Sequence, residues 1–291
     1  MQAIRPRRSV LYMPGANPKA LEKAKTLAVD SLIFDLEDSV APEAKQEARG
    51  TIEAALAGGG YGKREIVVRV NGLSTEWGKG DVAAAAKAKP HAILFPKVSS
   101  AADVEAAEAA LREAGAPAET AIWAMIETPL AILDIKAIAA ASTRTRLSCF
   151  VMGLNDLAKE QRAVQTPSRD AFMTSLTLSV LAARAYGLAA IDGVHNDIAD
   201  TGGFETACRQ AAQLGFDGKT LIHPSQIETC NTIFAPPDAE IAYAEAVIAA
   251  FAAPENAGKG VIKVNGKMTE LLHLEMARRT VAIADAIKAM A

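Results

Sequence analysis

Cysteine is scarce in this 291-residue chain: Cys149, Cys208 and Cys230 are odd in number and far apart. No pair has metal-ligand spacing and no disulfide framework follows, so the three read as buried small hydrophobes and a reducing cytoplasm suits the chain. No run of about 18 apolar residues occurs, which excludes a membrane-spanning helix. The first residues, MQAIRPRRSVLYMPG, are basic but lack an apolar core of signal-peptide length. Positive charge is not in excess either. Lys and Arg number 31 against 34 Asp and Glu, for a net charge of -3. That balance argues against nucleic acid as a partner, whereas a small anionic ligand needs only a local basic cluster. Also missing is a glycine-rich phosphate loop after the first strand. The turn there reads Pro14-Gly15-Ala16-Asn17-Pro18, and an open doubly wound sheet binding a dinucleotide would want such a loop.

What the chain has is alternation. Short apolar runs at 9–13, 31–35, 65–70, 92–95, 121–126, 147–152, 189–192 and 219–222 predict strands, with helical segments between them. Asn17 and Pro18 suit the cap and first residue of the first helix, Gly58-Gly59-Gly60 ends the second, and Gly187 ends a long helix from 169 to 186. Strands that are apolar without strict alternation are those expected of a parallel sheet buried on both faces. Eight strand–helix repeats predict a (β/α)8 TIM barrel over residues 1–235. Residues 236–291 form a C-terminal helical extension: a helix at 238–252, a flexible linker at 254–259, a strand at 261–264, a tight turn at Asn265-Gly266 and an amphipathic helix at 269–290. It is too small to fold alone and must pack on the barrel or on a neighbouring subunit.

Catalytic groups of such barrels lie at the C-terminal ends of the strands. Those ends carry Asp35, Glu37 and Asp38, then Arg69 and Asn71, Lys97, Glu127, Asp156, Asp192 and His223. Acids converging on one mouth repel unless cations compensate, and a hard divalent ion held by carboxylates is the economical solution. Arg69 can grip a carboxylate through two parallel donors, and Lys97 adds charge. The ordinary alternative for each acid is a helix cap or loop hydrogen bond; Asp38 could cap the second helix, and Asp156 a helix starting at Leu157. His223, before Pro224, reads as structural, with His195 and His273 weaker candidates still. Arg5, Arg7, Arg8, Lys19, Lys23 and Lys25 cluster early in the chain. Near the mouth they would suit nucleotide phosphates; otherwise they are a solvated face.

The segments SVLYMPGANPKALEKA, IFDLEDSVAPEAKQEAR, VVRVNGL, ILFPKV, MIETPLAI, GLNDLA, GFDGKTLIHPSQIE and VNGKMTE follow in order along nearly the whole chain. With them the chain resembles the citrate lyase beta-subunit-like branch of the HpcH/HpaI aldolase family, which includes malyl-CoA and citramalyl-CoA lyases. The resemblance implies Mg2+, with Glu127 and Asp156 as its ligands. It implies that Arg69 binds the keto acid or the substrate's carboxylate, and that Glu37 and Asp38 support the metal shell. Tyr12, Asn17 and Lys23 fall where the family meets coenzyme A, although some members carry arginine at position 17. It further implies a homotrimer or hexamer whose C-terminal extension lids a neighbour's site. One departure stands out: Glu270 occupies the place of an aspartate acid/base, and its extra methylene moves the carboxylate by more than about an ångström.

Three activities remain open on these residues. In the first, a lyase, Arg69 and the metal stabilise the carbonyl oxygen and Glu270 takes a hydroxyl proton, so that a 3-hydroxyacyl-CoA gives an α-keto acid and acetyl-CoA. In the second, a malyl-CoA thioesterase, Glu270 activates water against the thioester. The third is a non-catalytic subunit of a citrate-lyase-type assembly working with an acyl-carrier partner.

Overall fold

The computed structural model describes residues 4–290, which divide into two compact units: 7–231, and 232–290 together with 4–6. The first is a closed barrel of eight parallel strands. They are β1 (Ser9–Pro14), β2 (Ser31–Asp35), β3 (Glu65–Arg69), β4 (Ala92–Phe95), β5 (Ala121–Ile126), β6 (Leu147–Met152), β7 (Ala189–Asp192) and β8 (Gly218–Leu221). Helices return the chain after each strand, so all the strand C-termini open on one face, as the alternation of strand and helix requires. Asn17 caps the helix Pro18–Ala24 through its side chain, and Gly187 carries a positive φ, as expected. The predicted helix 169–186 begins as a single 3-10 turn and becomes α-helical only over Met173–Ala185.

The barrel interior shows the parity of each strand. Val10, Ile33, Val67, Leu94, Met125, Val151 and Ile191 pack together inside it. Because side chains alternate, the residues two further along point inward as well. Those next residues include Tyr12, Asp35, Arg69, Glu127 and Gly153.

The lower end of the barrel absorbs part of the basic cluster. Arg7 and Arg8 precede β1, so they enter at the N-terminal face, opposite the mouth. Arg7 forms a two-pronged pair with Glu65 (2.6 and 2.8 Å), and Arg8 a similar pair with Asp30 (2.9 Å each). Of the two readings of the early basic cluster, Arg7 and Arg8 therefore fit neither: they are paired structurally at the end opposite the mouth. Lys19 and Lys23 are exposed on the first helix, and Lys25 pairs with Glu22.

The second unit is a β-hairpin with two long helices. β9 (Val261–Val264) and β10 (Lys267–Glu270) pair antiparallel through Asn265 and Gly266, both at positive φ. Such a turn favours Asn-Gly. The helices Asp238–Ala252 and Leu271–Met290 close a core of Ala244, Val247, Ile262, Val264, Leu274 and Ala277. Thr269 and Glu270 are thus strand residues, not the start of the last helix, because pairing with β9 outweighs the local helical pattern. No helix among the described residues is long and apolar enough to cross a membrane.

Asp192 ends β7 fully buried, its carboxylate shared by Arg169 Nη1 (2.7 Å) and Lys219 Nζ (2.6 Å). Burial alone would raise this acid, but the two cations hold it below its ordinary value. Asp192 is therefore a structural tie between β7 and β8, not one of the free acids of the mouth. Asp192→Ala leaves two buried cations without a counter-ion and should cost about 3–5 kcal/mol, read as a lowered urea midpoint.

Candidate active site

Barrel closure aligns Asp35 with Arg69 across neighbouring strands. Their side chains, both nearly sealed from solvent, form a two-pronged pair: Arg69 Nε and Nη2 each donate to Asp35 at 2.7 Å. Asp35 also accepts the backbone N–H groups of Glu37 and Ser39, which folds the turn after β2 around it. Burial pushes the Asp35 carboxyl up, but Arg69's charge and hydrogen bonds outweigh that and hold it below its ordinary value. Arg69 Nη1 meets Glu37 Oε2 at 2.6 Å, whereas Asp38 stands at 3.5 Å with an exposed side chain. The guanidinium lies 4.9 Å from the centre of the Tyr12 ring.

These placements alter several expectations. The two parallel donors of Arg69 are engaged by Asp35, so only its Nη face remains for a ligand. Tyr12 borders the mouth cavity rather than standing free on the surface: it stacks on Arg69, and its hydroxyl approaches the Met125 sulfur at 4.0 Å. Burial pushes its phenol pKa up. Asn17 Oδ1 is occupied in capping, accepting from Ala20 N at 3.1 Å. Asp38 does not cap the second helix, whose N-cap positions Ala41 and Ala44 receive no side-chain hydrogen bond, and Asp35 takes the Ser39 N–H within the turn before it.

Glu127 follows β5 and is 2% exposed. Its Oε1 accepts the Lys97 backbone N–H at 2.7 Å. Lys97 sits at φ 55° and is exposed, so it serves Glu127 first through its main-chain N–H, and its charge adds a smaller pull. Across the mouth, Gly153 gives Glu127 room: a Cβ there would come within 2.4 Å of Glu127 Oε2. Asp156 lies in the first turn of the helix Leu154–Gln161, which Gly153 precedes, so it does not cap a helix starting at Leu157. The positive end of that helix favours a negative charge there. Burial, with a further push from the Asp156 charge, raises Glu127 to about 7 against the pull of the Lys97 N–H and Arg69. Thr128 caps the helix Pro129–Leu133 with its side chain, which leaves Glu127 out of that task.

Arg69, Met125, Glu127, Gly153 and Asp156 line one cavity of about 350 Å³ at the mouth. A second cavity of about 480 Å³ lies among the loops after β2, β3 and β4, with Lys45, Trp77, Phe95 and Lys97 on its walls. Asp38 borders both. His223 caps a single turn, Pro224–Gln226, by accepting from Ser225 N, so its structural reading holds. His195 Nε2 stands 3.7 Å from Asp200, and burial lowers the ring's pKa. His273 accepts the Glu270 N–H at 3.0 Å.

Residues 8–224 match the HpcH/HpaI aldolase/citrate lyase family. The chain belongs to this family. It is 49% identical to the (3S)-malyl-CoA thioesterase of Cereibacter sphaeroides over 284 residues, 98% of this chain and 96% of that one. It is 35% identical to the citrate lyase subunit beta of Escherichia coli K12, covering 97% and 94% of the two chains. The solved structure of the CitE protein of Mycobacterium tuberculosis, in complex with magnesium, acetoacetate and coenzyme A, superposes with a TM-score of 0.76 at 29% identity, covering 98% of this chain and all of that one.

Asp35 stands among the strand-end acids expected at the mouth, but its part as the partner of Arg69 is not read from the sequence, nor are Gly153 and Lys45 singled out there. The signal for Asp35 and Gly153 was parity: both stand two residues beyond an interior strand position.

Burial, the largest influence on Glu37, pushes its carboxyl up to about 8 although Arg69 pulls it down. A carboxyl raised on folding contributes stability below its unfolded value, ordinarily near about 4.3, and loses that contribution as pH rises toward the folded value. Urea midpoints of the natural chain should fall between about pH 5 and pH 8 more steeply than those of Glu37→Gln, which does not titrate. Equal slopes would contradict the assignment.

Proposed function

We propose that this family member is a magnesium-dependent thioesterase that hydrolyses malyl-CoA to malate and free coenzyme A. The observation that carries the reading is the 49% identity, over nearly the full length of both chains, to proteins named for that activity. The site suits the chemistry. Glu127 and Asp156 are hard oxygen donors facing one cavity, and the repulsion that helps raise Glu127 is what a divalent cation relieves. These two residues would hold the ion, which when bound supplies positive charge to polarise substrate oxygens.

The chain's own groups do the rest. The Nη face of Arg69, steadied by Asp35 and Tyr12, orients the malyl carboxylate. Lys23, exposed on the first helix, takes a phosphate of coenzyme A. Glu270, from the unit beginning at residue 232, acts as general base: it takes a proton from water as the new C–O bond forms at the thioester carbonyl. The C–S bond then breaks, and the departing sulfur receives a proton. In this reading the second unit is a lid supplied within a homo-oligomer. Met268, Leu271, Leu272 and Met276, which flank Glu270 in the chain, are all exposed, and exposed apolar side chains so close together in sequence suit contact with another copy.

A second reading, a lyase giving glyoxylate and acetyl-CoA, is supported by the 35% identity to a citrate lyase subunit and by the family itself. The two part on products. With malyl-CoA and Mg2+, the thioesterase releases malate and coenzyme A in equal amounts; glyoxylate with acetyl-CoA instead would overturn it. EDTA should abolish turnover and Mg2+ restore it. Glu270→Gln should lower kcat about 10²–10⁴-fold, the usual contribution of a general base, with Mg2+ affinity by calorimetry unchanged.

A further inference from the structure

The helix Lys45–Gly58 begins with a buried lysine that the chemistry above does not use. Lys45 Nζ donates to the carbonyl oxygens of Leu36 and Glu37, at 3.0 Å each. It also lies 5.0 Å from the centre of the Trp77 ring. A lysine is seldom buried without a carboxylate partner, because desolvating its charge is costly. Here two carbonyl dipoles and the face of an indole stand in for one.

Leu36 and Glu37 belong to the turn whose side chains Asp35 and Glu37 grip Arg69. The Leu36 carbonyl has a second holder, Asn71 Nδ2, at 2.8 Å, and Asn71 is in turn bound to Asp81, which Arg49 pairs at 2.6 Å. Among the described residues, the Glu37 carbonyl receives the Val40 N–H (3.1 Å) and no other donor besides Lys45. Asp35 is fixed by its own backbone donors, so the part of the turn that depends on Lys45 is Glu37.

We propose that Lys45 is a positioning residue: by holding the Leu36 and Glu37 carbonyls, its ammonium sets the Glu37 carboxylate against Arg69 Nη1 and thereby fixes which guanidinium N–H groups face the substrate carboxylate. The kinetic side of this inference rests on the thioesterase reading; the geometric side does not.

The test uses Lys45→Met in the full chain. Its crystal structure should show the 2.6 Å contact between Arg69 and Glu37 broken while the Asp35 pair persists. An intact contact overturns the proposal whatever the enzyme's substrate. With malyl-CoA, kcat/KM should fall about 10–100-fold, since displacements of an ångström cost on that scale. Most of the loss should lie in KM, with the melting temperature nearly unchanged. Adding Lys45→Met to Glu37→Gln should cost little more than Glu37→Gln alone; losses that multiply would mean Lys45 acts elsewhere. If the natural chain leaves malyl-CoA untouched, the thioesterase reading fails and the structural arm alone decides on Lys45. Should Lys45→Met not fold, Lys45→Gln carries both arms. It is neutral and one methylene shorter, so it reaches one carbonyl at most, and an unchanged Arg69–Glu37 contact there overturns the proposal.

Discussion

The Asp35–Arg69 pair is the constraint on which the rest of the mouth depends. Two chains of consequence meet in it. The register of β2 against β3 puts the residues side by side, and interior parity turns both inward. An arginine in that place is costly to bury without a counter-charge. Asp35 supplies one with two short hydrogen bonds, and its leftover lone pairs receive the Glu37 and Ser39 N–H groups. The acidic turn is therefore wrapped around the pair, and Glu37 reaches the outer nitrogen of the guanidinium as a result. Tyr12 closes the stack from β1. Loss of Asp35 would free the arginine, unwrap the turn and leave Glu37 without a fixed direction, so no neighbouring residue can substitute for it.

Much of this architecture is legible in the residues alone. Strand–helix alternation, the proline and glycine punctuation and the acids at strand ends lead to a barrel with its chemistry at one face. What escapes is whatever depends on pairing between distant segments. Asp35 and Glu37 look interchangeable in Asp-Leu-Glu-Asp; only the register with β3 makes the first the orienter of Arg69. Lys97 reads as a charge, but its left-handed backbone turns an N–H to Glu127 and its ammonium to solvent. Thr269 and Glu270 continue a helical pattern and become a strand because β9 lies opposite. The early basic cluster is a different case, because the structure divides it. Arg7 and Arg8 stand before the first strand, and topology alone puts such residues at the bottom of a barrel.

The barrel treats its buried charges in two ways, and the contrast marks where function lies. At the bottom of the barrel and at the C-terminal end of β7, each of these acids is matched: Glu65 by Arg7, Asp30 by Arg8, Asp192 by Arg169 and Lys219. These pairs are structural and hold strand ends in register. At the mouth the matching is incomplete. Glu127 is as buried as those acids, yet among the described residues its one hydrogen bond is from the Lys97 N–H, and burial with the like charge of Asp156 outweighs the pull of Arg69 and Lys97. A chain selected for stability alone would place an arginine or an amide there, because an uncompensated buried carboxylate opposes folding.

Gly153 shows that this imbalance is accommodated by the backbone. Any side chain at that position would collide with the Glu127 carboxylate, through both its Oε2 and its Cβ. The backbone keeps the space open at the one point where an acid must stand close to the next loop, and the same residue begins the helix that carries Asp156. One glycine thus lets Glu127 turn inward and lets Asp156 follow three residues later at the positive end of a helix. Both acids are thus placed by backbone, Glu127 by the Lys97 N–H and the space beside Gly153, and Asp156 by its position in the first turn of its helix.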